Sequence, residues 1–479
     1  MSFLPTIGLE VHVELKTRTK MFCACLNDPE ETRPNVNVCP ICLGHPGTLP
    51  TANKQAVEAV IKLGLALGGK IAKDSHFDRK SYFYPDLPKG YQISQYEKPL
   101  VEGGLLNGMR IRRVHLEEDA GRLLHEGSPL EGRGRPTSLV DFNRAGVPLM
   151  ELVTEPDIKN AGEAVNFAKE LRFIMRYLGI SDADMEKGQM RIEANISLSA
   201  GDGGMGTKVE VKNINSFRAV YEAIEYELER QEKLLSEGKK ILHETRGWNE
   251  TKKQTVSQRT KEEAHDYRYF PEPDLPPLSF NKVDIDKVRA NIPELPEEKR
   301  HRFVKEFGFN LEDVEALIED KSVADFFEEA ASELKSLIPN TDYKVLYNYF
   351  TSDLKGLINE KGIVIGDVKI IPEHFAHLAA MVERGELSSR LAKDILLKMF
   401  ETGDDPEALK KEEKLEFISN EEELKLLAEE IIGKNPKAVE DYKKGKAEAI
   451  QFLVGQVMAK TRGQANPEVL RGLFKKLLG

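Results

Sequence analysis

The sequence predicts an α+β domain followed by helical ones, and three observations carry that expectation. In IGLEVHVEL, Ile7, Leu9, Val11, Val13 and Leu15 alternate strictly with Gly8, Glu10, His12 and Glu14, the period-2 pattern of a half-buried strand. Two more alternating runs, MRIEANISL and TKVEVKNINSF, flank the Gly-rich stretch SAGDGGMG and lead into the amphipathic run SFRAVYEAIEYELERQEKLL, a hairpin followed at once by a helix. Beyond about residue 295 the pattern turns helical with Glu- and Lys-rich faces, as in SVADFFEEAASELKSLI.

Helices interleaved with hairpins favour α+β over a parallel α/β sheet. A chain of 479 residues exceeds one compact core, so several domains are expected. Pro293 and Pro296 in NIPELPEEKR interrupt regular structure and end the first domain at residues 1–294. Residues 295–406 read as a helical domain, and ETGDDPEALKKEEKLEF as a charged, weakly apolar linker into a small helical tail, 407–479. The net charge of −11 argues against nucleic acid on average, but residues 434–479 carry ten Lys and Arg against four Asp and Glu. A basic end on an acidic body permits RNA contact there. The first residues lack a basic, apolar leader pattern, and no apolar run approaches the ~18 residues that span a bilayer. A cytoplasmic protein without a membrane segment is expected.

The four cysteines, Cys23, Cys25, Cys39 and Cys42, are spaced C-x-C-x13-C-x2-C. Short loops that supply thiolates in pairs suit one tetrahedral zinc, and a cytoplasmic location makes disulfides the weaker reading. Four cysteines leave zinc no open position, so the site is expected to be structural. With all thiols committed, and no G-x-S-x-G elbow, nothing supports ammonia production by this chain.

Carboxylates gather elsewhere. Glu10 and His12 share a strand face, RVHLEEDAGR presents Glu117, Glu118 and Asp119, and GVPLMELVTEPD sets Glu151 in an apolar run. A carboxylate between apolar neighbours is costly to bury unpaired. A divalent cation would resolve that cost, and so would an arginine or an edge exposed to solvent; the pattern leaves these open. Oxygen ligands with one histidine suit Mg²⁺ or Mn²⁺ better than zinc. GDGGMGTK lacks the G-x-x-x-x-G-K-[ST] order and lies between strands, so it reads as a hairpin turn and not a phosphate loop.

FDRKSYFYPDLPKGYQISQ gathers Arg79, Lys80, Tyr82, Phe83, Tyr84, Lys89 and Tyr91, and HDYRYFPEPDLPPL gathers Tyr267, Arg268, Tyr269 and Phe270. Aromatics among cations stack on bases and hold phosphates, or equally fill a core edge. In the tail, Lys460, Arg462, Arg471, Lys475 and Lys476 form either an RNA-contacting or a merely solvated face.

IGLEVHVELKTRTKMFC, NVCPICLGHPGTLP, FDRKSYFYPDLPKGYQISQ, HLEEDAGR, VDFNRAGVPLMELVTEPD, EVKNINSF, DYRYFPEPDL and the tail segment FLVGQVMAKTRGQANPEVL together resemble the B subunits of the Glu-tRNA(Gln)/Asp-tRNA(Asn) amidotransferases. The resemblance implies a cradle-like catalytic domain related to glutamine-synthetase and guanido-kinase folds, then an all-α domain and a small all-α tail that binds tRNA. It implies that ATP phosphorylates the side-chain carboxylate of Glu or Asp misacylated onto tRNA, and that ammonia from a partner amidase subunit displaces the phosphate. A small third subunit completes the complex. His12, Glu118 and Glu151 resemble a Mg²⁺-binding group with Glu10 beside it, and Lys89 resembles a residue of the ammonia passage. Asn143, Arg144, Lys208, Glu210, Lys212 and Asn213 match substrate or ATP contacts. The chain departs from the family at Glu193, commonly Asp, and at His265; the cysteine quartet occurs in only part of the family. A rival reading is a non-catalytic, zinc-stabilised tRNA-docking subunit, which gains if an arginine pairs with Glu151.

Overall fold

A computed structural model describes residues 3–28, 30–125, 138–199, 201, 204–260, 267–412, 421–444, 446, 448–461, 465 and 467–479. Two compact units result, Met1–Glu298 and Lys299–Gly479. Arg462 and His265 lie outside the described residues.

The first unit is built on a ten-stranded sheet. Its central strand, Leu4–Glu14, runs antiparallel to Pro148–Thr154 on one side and Met190–Ser199 on the other. Met109–Glu118 pairs beyond Pro148–Thr154, and Val209–Ile214 beyond Met190–Ser199. The hairpin read from the sequence is therefore present. Val209–Ile214 and Glu244–Asn249 are parallel, a pairing that needs a crossover; the helix Phe217–Ser236 supplies it.

Alternation divides the sheet chemically. Ile7, Leu9, Val11 and Val13 are fully buried with Ile192, Ala194, Ile196, Met150 and Leu152 in one core, which also holds Ala164, Phe167 and Leu171 of the helix Ala161–Tyr177 and Val220 and Ala223 of the crossover helix. Each such Val, Leu, Ile, Phe or Met side chain contributes about 1.5–3 kcal/mol by leaving water. That fixes register, because a one-residue slip would bury Glu10, His12 and Glu14 instead. Asn160 and Ser216 cap the two helices by accepting from Glu163 N and Ala219 N.

The elements described in the second unit are all helical. One apolar cluster runs from Phe303 to Leu409, with Phe307, Phe327, Phe350 and Phe375 in edge-to-face contacts. A separate cluster runs from Leu424 to Leu478. Leu409, on the helix Pro406–Glu412, packs with the first cluster, so the opening residues of the expected tail pack with the preceding helices. Among the described residues no helix is long and apolar enough to cross a membrane.

Candidate active site

Strand register assembles the polar face. Arg191, His12, Glu151 and His115 stand directly opposite one another across four adjacent strands, and Glu193 stands opposite Glu10. His12 Nε2 lies 3.4 Å from Glu151 Oε2 and 3.6 Å from Glu117 Oε1. From the other side, His115 Nε2 approaches Glu151 Oε2 at 3.3 Å. Glu151 thus meets two histidines and, among the described residues, no arginine. Burial opposes its charge, but His115 and His12 hold it well below the usual carboxylate range. Burial likewise opposes a charge on His12, and the hydrogen bond and charge of Glu151 lift it to about 9.

Glu118 is not part of this group, and Glu117 takes the place expected of it. Consecutive side chains of a strand point to opposite faces. Glu117 joins His12 and Glu151, with their ligand atoms within 4.8 Å of one another, while Glu118 pairs with Lys89 and accepts from Ile93 N at 2.9 Å. The octahedral edge of a Mg²⁺ site is ~3 Å, so the His12–Glu117–Glu151 set fits such a cation after a small contraction. A second group, Glu10, Glu193 and Glu210, also lies within 4.8 Å. Burial, then Glu151 and Glu193, push the Glu10 carboxyl up; Asn195 Nδ2 donates to Glu10 at 2.8 Å, and its buried Oδ1 has no partner among the described residues. Like charges crowded about an orphaned oxygen also fit a hard cation.

These groups border an open pocket of about 540 Å³ whose walls include Lys80, Arg191, Lys212, Tyr82 and Tyr267. Lys212 Nζ bridges Glu193 at 2.7 Å and Glu210 at 3.2 Å, and Thr245 Oγ1 donates to Glu210. Burial opposes the charge of Lys80, yet Glu117 and other neighbours raise its ammonium above the usual range. The two aromatic stretches of the sequence meet here. Phe270 pairs with Arg79, Lys80 Nζ sits 5.1 Å from the Tyr267 ring, and Tyr96 stacks on Tyr269 at 4.3 Å.

The remaining expected contacts are dispersed. Asn143 is buried at the root of the cysteine loop, accepting from Asn37 N and donating to Arg33 O. Arg144 donates to Ala120 O and Gly121 O and lies 3.6 Å from Asp119. Asn213 is an exposed bulge residue at φ 62°, donating to Trp248 O, and Lys208 is exposed. Neither lines the pocket.

Near Arg144, Glu14 hydrogen-bonds Asp119. Burial and the Asp119 charge push the Glu14 carboxyl up to about 7, while Arg191 and Arg144 outweigh burial to keep Asp119 low. The folded chain therefore binds the Glu14 proton more tightly than the unfolded chain does. That stabilisation is fully present below about pH 4.5 and is lost as pH rises through about 7. Glu14→Gln should lose less stability than the wild type between pH 5 and 8.5, by at most about 3 kcal/mol. Urea midpoints at both pH values check this; parallel pH profiles would refute the shared proton.

The four cysteines converge with their sulfurs within 4.8 Å, and Cys39 and Cys42 Sγ are 3.9 Å apart. Zn–S bonds of ~2.3 Å give a tetrahedron with edges of ~3.8 Å, so the set fits zinc. Cys39 N donates to Cys42 Sγ at 3.2 Å, and the buried Lys20 Nζ lies 3.9 Å from that sulfur. Hydrogen bonding from Cys23, more than offsetting burial, draws the Cys42 thiol down to about 5.

In the second unit Lys460 is ion-paired with Glu430, and Arg471 and Lys475 are exposed on the helix Pro467–Leu478. Lys80 lies in one of the aromatic and basic stretches of the sequence, whereas His115 and Arg191 are site residues that sequence reasoning did not assign. His115 and Glu117 carried a signal, since an i, i+2 spacing on a strand puts both on one face.

A family model for the GatB/GatE catalytic domain matches residues 5–286, and one for the GatB domain matches residues 325–478. The chain is 47% identical to the B subunit of the aspartyl/glutamyl-tRNA(Asn/Gln) amidotransferase of Persephonella marina, over 100% of both chains. The protein of the same description from Thermotoga maritima is also 47% identical, over 100% of this chain and 99% of its own. That from Dehalococcoides mccartyi is 47% identical over 98% of each. With a catalytic-domain match over more than half its length and such relatives from end to end, the chain belongs to the GatB family, the B subunits of the tRNA-dependent aspartyl/glutamyl amidotransferases.

Proposed function

We propose that this chain activates the side-chain carboxylate of Glu carried by tRNA(Gln), or Asp carried by tRNA(Asn), as an acyl phosphate, and completes the amide with ammonia from a partner amidase subunit. The observation that carries this reading is one pocket lined by His12 and Glu117 of one cation-fitting group, by Glu193 of the other, and by Lys80, Arg191 and Lys212. Glu151 held by two histidines, with no arginine among the described residues, favours catalysis over a purely docking role.

In the first step a carboxylate oxygen attacks the γ-phosphorus of ATP, an O–P bond forms, and the bond to the β-phosphate oxygen breaks to release ADP. In the second the ammonia lone pair attacks the acyl carbon, the C–O bond to phosphate breaks, and the nitrogen gives up a proton. Mg²⁺ held by His12, Glu117 and Glu151, with a second cation at Glu10, Glu193 and Glu210, would supply charge neutralisation at the phosphates. Lys80, Arg191 and Lys212 orient phosphate oxygens by charge-assisted hydrogen bonds. Tyr82 and Tyr267 offer ring faces to a base at the pocket wall.

The sheet domain (1–294) acts as the cradle, related to glutamine-synthetase and guanido-kinase folds. A helical domain (295–406) follows, and the tail (407–479) with Lys460, Arg471 and Lys475 grips tRNA, Arg462 being a further candidate. The amidase and a small third subunit complete the assembly in the cytoplasm, and zinc braces the cysteine loop. The test is the purified complex with γ-labelled ATP and Glu-tRNA(Gln), ammonia and glutamine withheld. Labelled, acid-labile aminoacyl phosphate supports the reading, and its absence from a complex that binds tRNA refutes it. Truncation after Glu412, which keeps Leu409 in its core, should weaken tRNA binding about tenfold or more and leave the first unit's melting unchanged. Filter binding at fixed salt would expose unchanged affinity, which would remove the tail from tRNA recognition.

A further inference from the structure

We propose that the four-cysteine loop positions Lys89 through Gly44, and so sets the Lys89–Glu118 ion pair between the open pocket and a smaller chamber behind it. The inference rests on the two-step reading above and concerns how its second substrate arrives.

Glu117 and Glu118 end one strand and face opposite ways. Glu117 borders the open pocket; Glu118 borders a chamber of about 60 Å³ that is also lined by Phe22, Cys23, Cys42, Gly44 and Lys89. That is room for a few water-sized molecules, and ammonia is one of that size. The two spaces share a wall, because Gln92 lines the open pocket and donates to Glu118 O at 2.7 Å, while Ile93 lines the chamber and donates its N–H to the Glu118 carboxylate. Lys89 and Glu118 stand in that wall with side chains 11% and 5% exposed.

The cysteine loop fixes where Lys89 stands. Gly44, two residues beyond Cys42, has φ +67° and is held by its N–H to Ile41 O. A Cβ at Gly44 would lie 2.4 Å from Lys89 Cγ and 3.0 Å from Lys89 Cα. These atoms are the root of the lysine and cannot swing away as its tip can. The Lys89 ammonium is 5.9 Å from the Phe22 ring and 5.6 Å from the Tyr91 ring, so two aromatics also lie near its tip. Glu118 lies near the same sulfur ligand, across Gly146. The Cβ position of Gly146 is 3.5 Å from Cys42 Cβ and 3.9 Å from Glu118 Oε2. A metal that fixes Cys42 therefore holds the turn that brings Gly44 against Lys89, making Gly44 a positioning residue for ammonia delivery.

The experiment uses the complete complex carrying Gly44→Ala. Zinc content and acyl-phosphate formation should match the wild type. Amidation supported by glutamine should fall about tenfold or more, and amidation supported by concentrated ammonium, which reaches the open pocket directly, should fall far less. In a Lys89→Met background Gly44→Ala should add nothing, because both changes act on one contact. Stripping zinc from the wild-type complex with a chelator should produce the same split between glutamine and ammonium, a reading independent of how Gly44→Ala folds. An unchanged glutamine-supported rate, a loss shared equally by phosphorylation, or additivity with Lys89→Met would overturn the proposal. A wild-type complex that forms no acyl phosphate would instead overturn the reaction on which it rests.

Discussion

Glu151→Gln is expected to lower acyl-phosphate formation by roughly 10²–10³, with tRNA binding intact. Glutamine keeps the shape but removes the charge that His12 and His115 converge on. Without that charge a cation in the pocket loses an anionic ligand and the imidazoles lose their shared counter-charge. Glu117→Gln should behave alike, since its carboxylate completes the same group. Glu118→Gln should affect the phosphoryl step much less, because its side chain faces Lys89 on the other side of the strand. The measurement is label transfer from γ-labelled ATP to Glu-tRNA(Gln) across a Mg²⁺ titration. For Glu117→Gln the half-saturating Mg²⁺ concentration should rise, as it does when a ligand and not the fold is lost. Equal losses at Glu117 and Glu118 would sink the assignment of cation ligands.

That pair also shows what could be read from sequence. The alternation in IGLEVHVEL placed Glu10 and His12 on one face, and the structure keeps them there, because a strand with one buried face has little freedom of register. In RVHLEEDAGR two adjacent glutamates compete for one role. The choice between them depends on where the strand ends and which residues it pairs with, here Leu149 opposite Glu117 and Pro148 opposite Glu118. That is tertiary information. Arg191 and Lys80 join the pocket from strands far apart in the chain; alternation puts Arg191 on the polar face of its strand, but no local period brings the two together. Asn143 shows the converse. Its segment matched a family motif, yet its side chain serves the cysteine loop by bonding Asn37 and Arg33. The helical second unit was legible as helix, whereas the attachment of Leu409 to the earlier apolar cluster was not, since a short charged helix with one buried leucine reads as linker.

The second large effect is expected from the cysteines. Cys39→Ser combined with Cys42→Ser should abolish zinc binding and destabilise the first unit by about 3–5 kcal/mol. This is below the ~10–16 kcal/mol of isolated zinc-finger peptides, because other bonds also anchor the loop. Met21 N donates to Gly146 O at 2.7 Å, Thr51 N to Phe22 O at 2.9 Å, and Asn53 N to Met21 O at 2.9 Å. For a domain of this size that loss lowers the melting temperature by roughly 5–8 °C. Metal analysis alongside calorimetry checks both halves, and a variant that loses zinc without losing stability would show the site to be dispensable for folding. Lys20 gives independent reason to expect the loss. It is 0% exposed, and its ammonium is 3.2 Å from Phe142 O and 3.9 Å from Cys42 Sγ. A buried ammonium is costly without an anion beside it. Four thiolates around Zn²⁺ carry a net charge of about −2, which Lys20 offsets in part. Serine substitution therefore removes the metal and also leaves Lys20 buried without its counter-charge. Adding Lys20→Met to the serine variant should recover part of the lost stability, although the same change in the zinc-bound wild type should cost stability.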